Sequence, residues 1–401
     1  MKRARGRVHL ALAGLSLLLG ARASAQTLDE AVAAAYRNNP TLQDARLGVR
    51  ASREDTWQAR AGYLPSISLQ GAAGRRELDI ESTNIFGPTH QNVDQGVSSS
   101  AAVVTQQLYT GGRRGAQMRL ADAGVEGARQ SLRGAEQQIL LSAIQAYLNL
   151  VRDEGIVRIR EAYLADLLAQ LAATRRRLDV GEVTRTDLSQ SQARVAGARA
   201  QLAQAQANAE ASRAAYAQVI GQAPDALQPP GPPPTDTPAS LDEALAQADA
   251  SNPQILVAQQ NERAADARTD IERAASRPQL SVVGRADSQK NTDQLEQQRD
   301  STSLTAQLTV PLFTGGYDWA RVRQGRINEA RARAQTEARR RQIAAGVVAA
   351  WTEVTAARAV IAAAAEQVSA SLDAVAGAER ELGIGTRSNI DVLNAREDLQ
   401  N

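Results

Sequence analysis

Two short stretches place a carboxylate three residues beyond a hydroxyl, just after a glycine. Gly181 is followed by Thr184-Arg185-Thr186-Asp187, and Gly385 by Ser388-Asn389-Ile390-Asp391. That spacing is a capping box. The hydroxyl accepts from an unpaired amide of the first helical turn, and the carboxylate accepts from the amide of the cap. A carboxylate there also meets the positive end of the helix dipole. The chemistry expected of Asp187 and Asp391 is therefore hydrogen bonding and charge, with no bond made or broken. Little else is provided for. The chain has no cysteine and two histidines, of which only His90 lies beyond the first 25 residues. His/Cys zinc sites and Cys–His pairs are thereby excluded from a processed chain. A carboxylate-only enzyme is not excluded by composition.

The first 25 residues read as an export signal. Lys2, Arg3, Arg5 and Arg7 precede the apolar run from Val8 to Leu19, and Ala23-Ser24-Ala25 offers a small-residue cleavage site. The run is too short to span a bilayer. Processing is expected to leave Gln26 first. Removing five basic residues turns a formal net charge of +2 into −3. The basic isoelectric point thus belongs to the signal, and nothing points to nucleic acid. Aromatics make up only 3% of a chain rich in alanine, which suits long, closely packed helices better than a compact aromatic core.

The chain repeats itself. TLDEAVAAAYRNNP at 27–40 returns as SLDEALAQADASNP at 240–253, an offset of 213 that also carries Pro65 onto Pro278. LYTGG at 108–112 returns as LFTGG at 312–316, an offset of 204 that also carries Tyr147 onto Trp351 and Asp187 onto Asp391. The first copy spans 26–223, the second 239–401, and the proline-rich stretch 224–238 between them reads as a stiff linker. In each copy a capping box (Thr27 to Glu30; Ser240 to Glu243) opens a short helix, and an Asn-Pro pair opens a second. Alternating patterns then predict two strands per copy, at about 64–80 and 97–110, and at about 278–288 and 301–313. Polar loops are expected at roughly 81–96 and 288–300.

No proline occurs from 89 to 223 or from 312 onward. A helix is predicted over about 113–178, a rod of roughly 100 Å. Leu140, Ile144, Tyr147 and Val151 are spaced as a coiled-coil seam. So are Leu164, Leu168, Leu171, Arg175 and Leu178, with Val368, Leu372, Val375, Glu379 and Leu382 as their repeats. The arginine runs 175–177 and 339–341 read as solvated faces. Gly181 and Gly385 end the rods, and a returning helix is predicted over about 185–221. Its repeat is expected to run to position 425, at least 24 residues past Asn401.

No processed segment reads as a membrane-spanning helix, so an exported chain that crosses a membrane must do so as closed β-structure. Four strands cannot close a barrel. Two chains would give eight strands and a filled lumen, three would give twelve and room for a channel.

With its paired copies, NP turns, YTGG and FTGG strand ends and the tip motifs DVGEVTRTDL and GIGTRSNIDVL, the chain resembles the TolC-like outer-membrane efflux proteins. The resemblance implies a mainly α fold with a small β part. Two tandem β-β-long-helix repeats would form a trimeric twelve-stranded barrel in the outer membrane, continued by a twelve-helix periplasmic tunnel. It implies a passive exit duct without cofactor. Its expected partners are two further copies, outer-membrane lipid, a periplasmic adaptor and an inner-membrane transporter of ABC or RND type.

Residue by residue, the resemblance gives Arg387 a link to Thr186 and Asp187 that holds the periplasmic end closed. It gives Asp391 a place in an acidic ring, whose second position is here Asn394, and it makes Gly181 and Gly385 the tip turns for partner docking. Leu382 stands where the family has an aromatic residue. A periplasmic adaptor would carry a single hairpin, and a trimeric coiled-coil fibre would lack the paired strands and tip glycines. Without a Met, Cys or His cluster to suggest a metal route, type I secretion or general efflux is the expected use.

Overall fold

The computed structural model describes residues 26–232, 237–292, 297–384 and 386–400; the export signal falls outside them. The short helices come first in each copy. α1 (Leu28–Asn38) and α2 (Pro40–Ala61) return as α5 (Leu241–Ser251) and α6 (Pro253–Ala275). Their caps are those of the sequence pattern. Thr27 and Glu30 bond reciprocally at 3.0 and 3.3 Å. Asn39 and Asn252 each accept at 2.9 Å from the amide two residues on, with proline at the first helical position.

The strands are longer than the alternation suggests. β1 (Ser66–Asn84) and β2 (Gly87–Tyr109) pair along their whole length, and β3 (Gln279–Thr292) pairs with β4 (Gln297–Thr309). Much of the expected loop at 81–96 is thus strand. The ladder is made by backbone groups, so it continues where both faces turn polar and the alternation fades. The sheet is antiparallel with order β1-β2-β3-β4. Residues opposite one another share a face, and the register therefore sorts the side chains. Ile67, Leu69, Ala102, Val104, Val282, Leu304 and Leu308 fall on one face, and Ser68, Gln70, Thr105, Arg285, Thr305 and Gln307 on the other. The apolar face is bare: Leu69 is 83% and Leu304 79% exposed.

The glycine turns Gly111-Gly112 and Gly315-Gly316, all at positive φ, lead from the sheet into α3 (Arg113–Asp179) and α7 (Tyr317–Gly383), each of 67 residues. At ~1.5 Å per residue these are rods of roughly 100 Å. The returning helices are α4 (Arg185–Ile220) and α8 (Asn389–Gln400).

Two compact units share this chain, and they do not follow the two copies. The first combines residues up to Asn38 with Leu140–Pro233, and the second Asn39–Ile139 with Pro234–Asn401. In the first unit α3 packs on α4, and its buried stripe lies beside the expected seam. Ala143, Tyr147, Leu150, Tyr163, Leu167, Leu171 and Thr174 are buried, whereas Leu168 is 40% exposed. Tyr147 and Leu171 belong to both stripes. Small residues occur on both sides of the contact, Ala143 and Ala146 on α3 and Ala198, Ala205 and Ala209 along α4, and their short side chains let ridges sink into grooves. The 4-3 pattern that was expected to fill this seam therefore marks an adjoining face. Polar staples lock the pair. The Ser212 hydroxyl donates to buried Asp153 at 2.5 Å, and Arg213 meets Glu154 at 2.9 Å. Arg152 and Ser212 hold the Asp153 carboxyl below the usual range against the opposing effect of burial.

The first residue described is also buried. The Gln26 amide donates to Ala226 O at 2.7 Å, and Gln228 N donates back to Gln26 O at 3.1 Å. Tyr147 Oη donates to the carbonyls of Gln26 and Gln228, and Tyr216 Oη donates to Gln26 Oε1 at 2.7 Å. The expected linker is thus anchored at its start, because a buried phenol needs a polar partner.

In the second unit α6 packs on α7, with Thr269 fully buried 3.0 Å from the position a Cβ would take on Gly325. Arg321–Glu272 and Arg333–Glu262 line the same contact, and Arg340–Asp249 ties α7 to α5. The 339–341 run is therefore exposed but paired. One 18-residue window of α7 has a mean hydropathy of 1.4, which corrects the expectation that no segment is apolar enough to span a membrane. Much of that apolarity is alanine, whose small side chain adds to hydropathy while burying little area. Val360 and Ile361 on this helix are 65% and 68% exposed.

Burial pushes the Tyr216 phenol up to about 12, and raises Tyr147 as well. Both values lie above that of a free phenol, near 10. Their contribution to stability is therefore complete below about pH 10 and lost as the pH climbs through the folded values. Tyr216→Phe is expected to lower stability at neutral pH by about 1–2 kcal/mol, because Gln26 Oε1 loses its donor. It should also flatten the fall in stability between about pH 10 and 12. Denaturant melts followed by circular dichroism across that range check both.

Candidate functional site at the helix tips

The tip of the first copy lies in the first unit. α3 ends at Asp179, Gly181 turns the chain with φ +80, and Glu182 N closes the turn on Arg177 O at 2.8 Å. A left-handed residue at this position is a usual helix ending, and glycine adopts it without steric cost. Thr184 then caps α4. Its amide and its hydroxyl both donate to Asp187 Oδ2 at 2.8 Å, and Asp187 N donates to Thr184 Oγ1 at 3.2 Å. These bonds hold the Asp187 carboxyl below its ordinary value, the backbone one most strongly. Thr186, one residue before it, is exposed.

The second copy's tip lies in the second unit and follows the same pattern. Thr386 N and Oγ1 both donate to Glu381 O at 3.0 Å, and Ser388 caps α8. Ser388 Oγ donates to Asp391 Oδ2 at 2.7 Å, its amide at 3.2 Å, and Asp391 N donates back at 3.3 Å. The Asp391 carboxyl is lowered first by the Ser388 bonds and to a lesser degree by the charge of Arg387. Gly385, the expected counterpart of Gly181, lies outside the described residues. Asn394 is exposed on α8 one turn beyond the cap.

Arg387 has a local partner that the sequence reading did not assign. Its Nε lies 3.0 Å from Glu381 Oε2, with both side chains about half exposed. A second clasp, Arg396 Nη2 to Glu379 Oε1 at 2.6 Å, fastens α8 to α7 beside buried Val392, Leu393 and Ala378. The first tip carries the inverse charge arrangement, with Arg177 Nε 4.0 Å from Glu182 Oε2. The spacing of six between Glu381 and Arg387 could have shown the pair, but only with a turn known to bring the two together. Chemically each tip offers exposed carboxylates with spare acceptor capacity and an arginine in an exchangeable ion pair. Among the described residues no group of His, Cys, Asp and Glu is placed to hold a metal ion.

A two-stranded hairpin leading into a 67-residue rod, written twice in one chain, has clear relatives. Residues 31–222 and 244–401 match the family described as outer membrane efflux protein. The chain belongs to that family. The outer membrane efflux protein BepC of Brucella suis is 31% identical over 96% of this chain and 82% of its own length. The alkaline protease secretion protein AprF of Pseudomonas aeruginosa is 25% identical over 96% and 81%. Among solved structures, the CmeC outer membrane channel of Campylobacter jejuni superposes with a TM-score of 0.79 at 17% identity. It covers 93% of this chain and 80% of its own. VceC of Vibrio cholerae gives 0.76 at 22%, over 93% and 90%. Members of the outer membrane efflux protein family act in transport at the outer membrane, and that places this chain's strands in that membrane and its rods on the periplasmic side.

The folded values of Asp187 and Asp391 are depressed, so their caps stabilise the tips above the ordinary carboxyl value and are lost as the pH falls through the folded one. Ser388→Ala is expected to reduce protection of the first α8 amides about fivefold at neutral pH, the usual worth of a cap. Wild-type protection should fall towards the variant's below about pH 4. Hydrogen exchange read by mass spectrometry checks this.

Proposed function

We propose that this protein is the outer-membrane exit duct of a tripartite efflux or secretion system, working as a homotrimer. The observation that carries the reading is the four-stranded antiparallel sheet with β1 and β4 at its edges. Its apolar face is bare, and each of its two hairpins leads into a long rod. Four strands cannot close, and within a bilayer an open edge leaves backbone groups without partners. Three copies supply twelve strands and a lumen lined by the Ser68, Gln70, Arg285 and Thr305 face. The rods continue the conduit into the periplasm, where the tips meet an adaptor and an inner-membrane transporter. Proteins and small toxic molecules are both suitable cargo, since relatives include an efflux protein and a protease secretion protein.

The tips act as the gate. Arg387 exchanges its bond to Glu381 for Thr186 and Asp187 when the duct closes, and Asp391, with Asn394 beside it, narrows the entrance for cations. Gly181 and Gly385 present the turns to the docking partner. Support comes from the exposure of the Arg387–Glu381 pair, since such a pair is worth only about 0–1 kcal/mol and is readily replaced. Repeated three times, a link of that size holds a two-state gate mostly closed.

The purified full-length protein is expected to migrate as a trimer in detergent and to form cation-preferring channels in planar bilayers. Asp187→Arg and Arg387→Ala should each raise the resting conductance, whereas Asp391→Ala should mainly weaken block by added cations. Single-channel recording at low salt, where screening is least, is the measurement. A conducting monomer would overturn the trimer, and unchanged conductance in both link variants would leave Asp187 a cap and Arg387 a surface charge.

A further inference from the structure

The residue expected to open the processed chain sits in a pocket of its own. Gln26 is 8% exposed and lies against fully buried Tyr147 and Tyr216. It forms a parallel bridge with Leu227, in the segment that follows α4. Its N–H donates to Ala226 O at 2.7 Å. Its carbonyl accepts from Gln228 N at 3.1 Å and from Tyr147 Oη at 2.9 Å. The side-chain oxygen, Oε1, accepts from Tyr216 Oη at 2.7 Å. Among the described residues, Nε2 makes no hydrogen bond. The second copy supplies a comparison. The offset of 213 carries Gln26 onto exposed Ala239, and the offset of 204 carries Tyr147 onto half-buried Trp351. Where the chain runs through without a cleavage site, both the amide side chain and the phenol are missing.

Cleavage after Ala25 changes the group that this pocket must hold. A peptide N–H brings one proton and no charge, whereas an α-ammonium brings three protons and a full charge. The described residues meet that nitrogen with a single acceptor, the Ala226 carbonyl. Burying a charge without a matched partner is costly. Two carboxylates are near enough to act on the phenols, Glu30 on Tyr147 and Asp225 on Tyr216. Glu30 is already engaged by Thr27 N at 3.0 Å, and neither carboxylate accepts a hydrogen bond from Gln26. Burial is the largest influence on both phenols, and it disfavours a cation in the same place.

We infer that Gln26 is a modification site, where the processed terminus closes on its own side chain to give pyroglutamate. This rests on the reading of residues 1–25 as an export signal and adds to it the fate of the new terminus. In the reaction the lone pair of the free α-amine attacks Cδ, and the Cδ–Nε2 bond breaks. One of the two amine protons leaves with Nε2 as ammonia, and the other stays as the lactam N–H. No oxidant or co-reactant is consumed. The step is internal to one residue, so it is complete before that residue is buried. The product has the groups that the pocket serves. It keeps one N–H to donate to Ala226 O and one side-chain carbonyl to accept from Tyr216 Oη. The charge is gone, and the atom expelled is the Nε2 that bonds to no described residue. Pyroglutamate thus fixes the start of the chain to the segment after α4 as a neutral plug.

The test reads the terminus of the full-length protein freshly isolated from outer membranes. After digestion in the cold, mass spectrometry of the first peptide is expected to show a chain that begins at residue 26. The form lighter by one ammonia should exceed the unmodified form severalfold. A free Gln26 terminus overturns the modification while leaving the cleavage standing, and a terminus at any other residue overturns both. Pyroglutamyl peptidase gives the second reading. It should release the blocked residue from denatured protein about tenfold or more faster than from the folded form, since a buried terminus is reached only through local opening. Equal rates from the two forms would place the residue outside the pocket and overturn its part as a plug.

Discussion

A β-sheet has no stable place in a bilayer while its edges are open. Each unpaired amide and carbonyl on β1 and β4 would face hydrocarbon, where no water can serve it. Every larger feature of this molecule is tied to that constraint. It explains a sheet whose order simply follows the chain, with one apolar and one polar face. A soluble sheet of this kind would be an aggregation hazard. Here the same openness is what allows copies of the chain to close on one another.

The rods answer a different need. Where α3 meets α4 the buried positions mix alanine with tyrosine, leucine, valine and isoleucine. The alanines let the helices approach closely, and the larger side chains supply most of the buried area. Polar staples such as Ser212–Asp153 and Arg213–Glu154 add direction to the contact. The stripe with 4-3 spacing, beside the buried one, leaves each rod with a second apolar face. A helix in the wall of a tube has two neighbours, and two faces are what it needs.

At each tip a carboxylate caps its own helix and keeps acceptor capacity to spare. Asp187 and Asp391 bond to the caps of their own helices with Oδ2, a local task that keeps them ionised. A carboxylate accepts several hydrogen bonds, so capping does not exhaust it. Glu381, meanwhile, holds Arg387 in a bond weak enough to be exchanged.

How much of this was legible beforehand depends on range. The element order, the caps at Thr27, Asn39, Thr184, Asn252 and Ser388, the rods and the two-copy plan follow from the sequence by itself. They rest on bonds between residues two to four apart and on comparison of the chain with itself. The strand ends were less legible, since backbone ladders run on past the alternating side chains that signal them. Only the tertiary structure decided which stripe of α3 is buried, that Gln26 is anchored by Tyr147 and Tyr216, that Arg387 pairs with Glu381, and that the compact units cut across the two copies. Each of these depends on which residues a neighbouring element, or a turn of particular geometry, brings within a few ångströms. A periodic pattern says that a face will be covered; the partner's shape says which one.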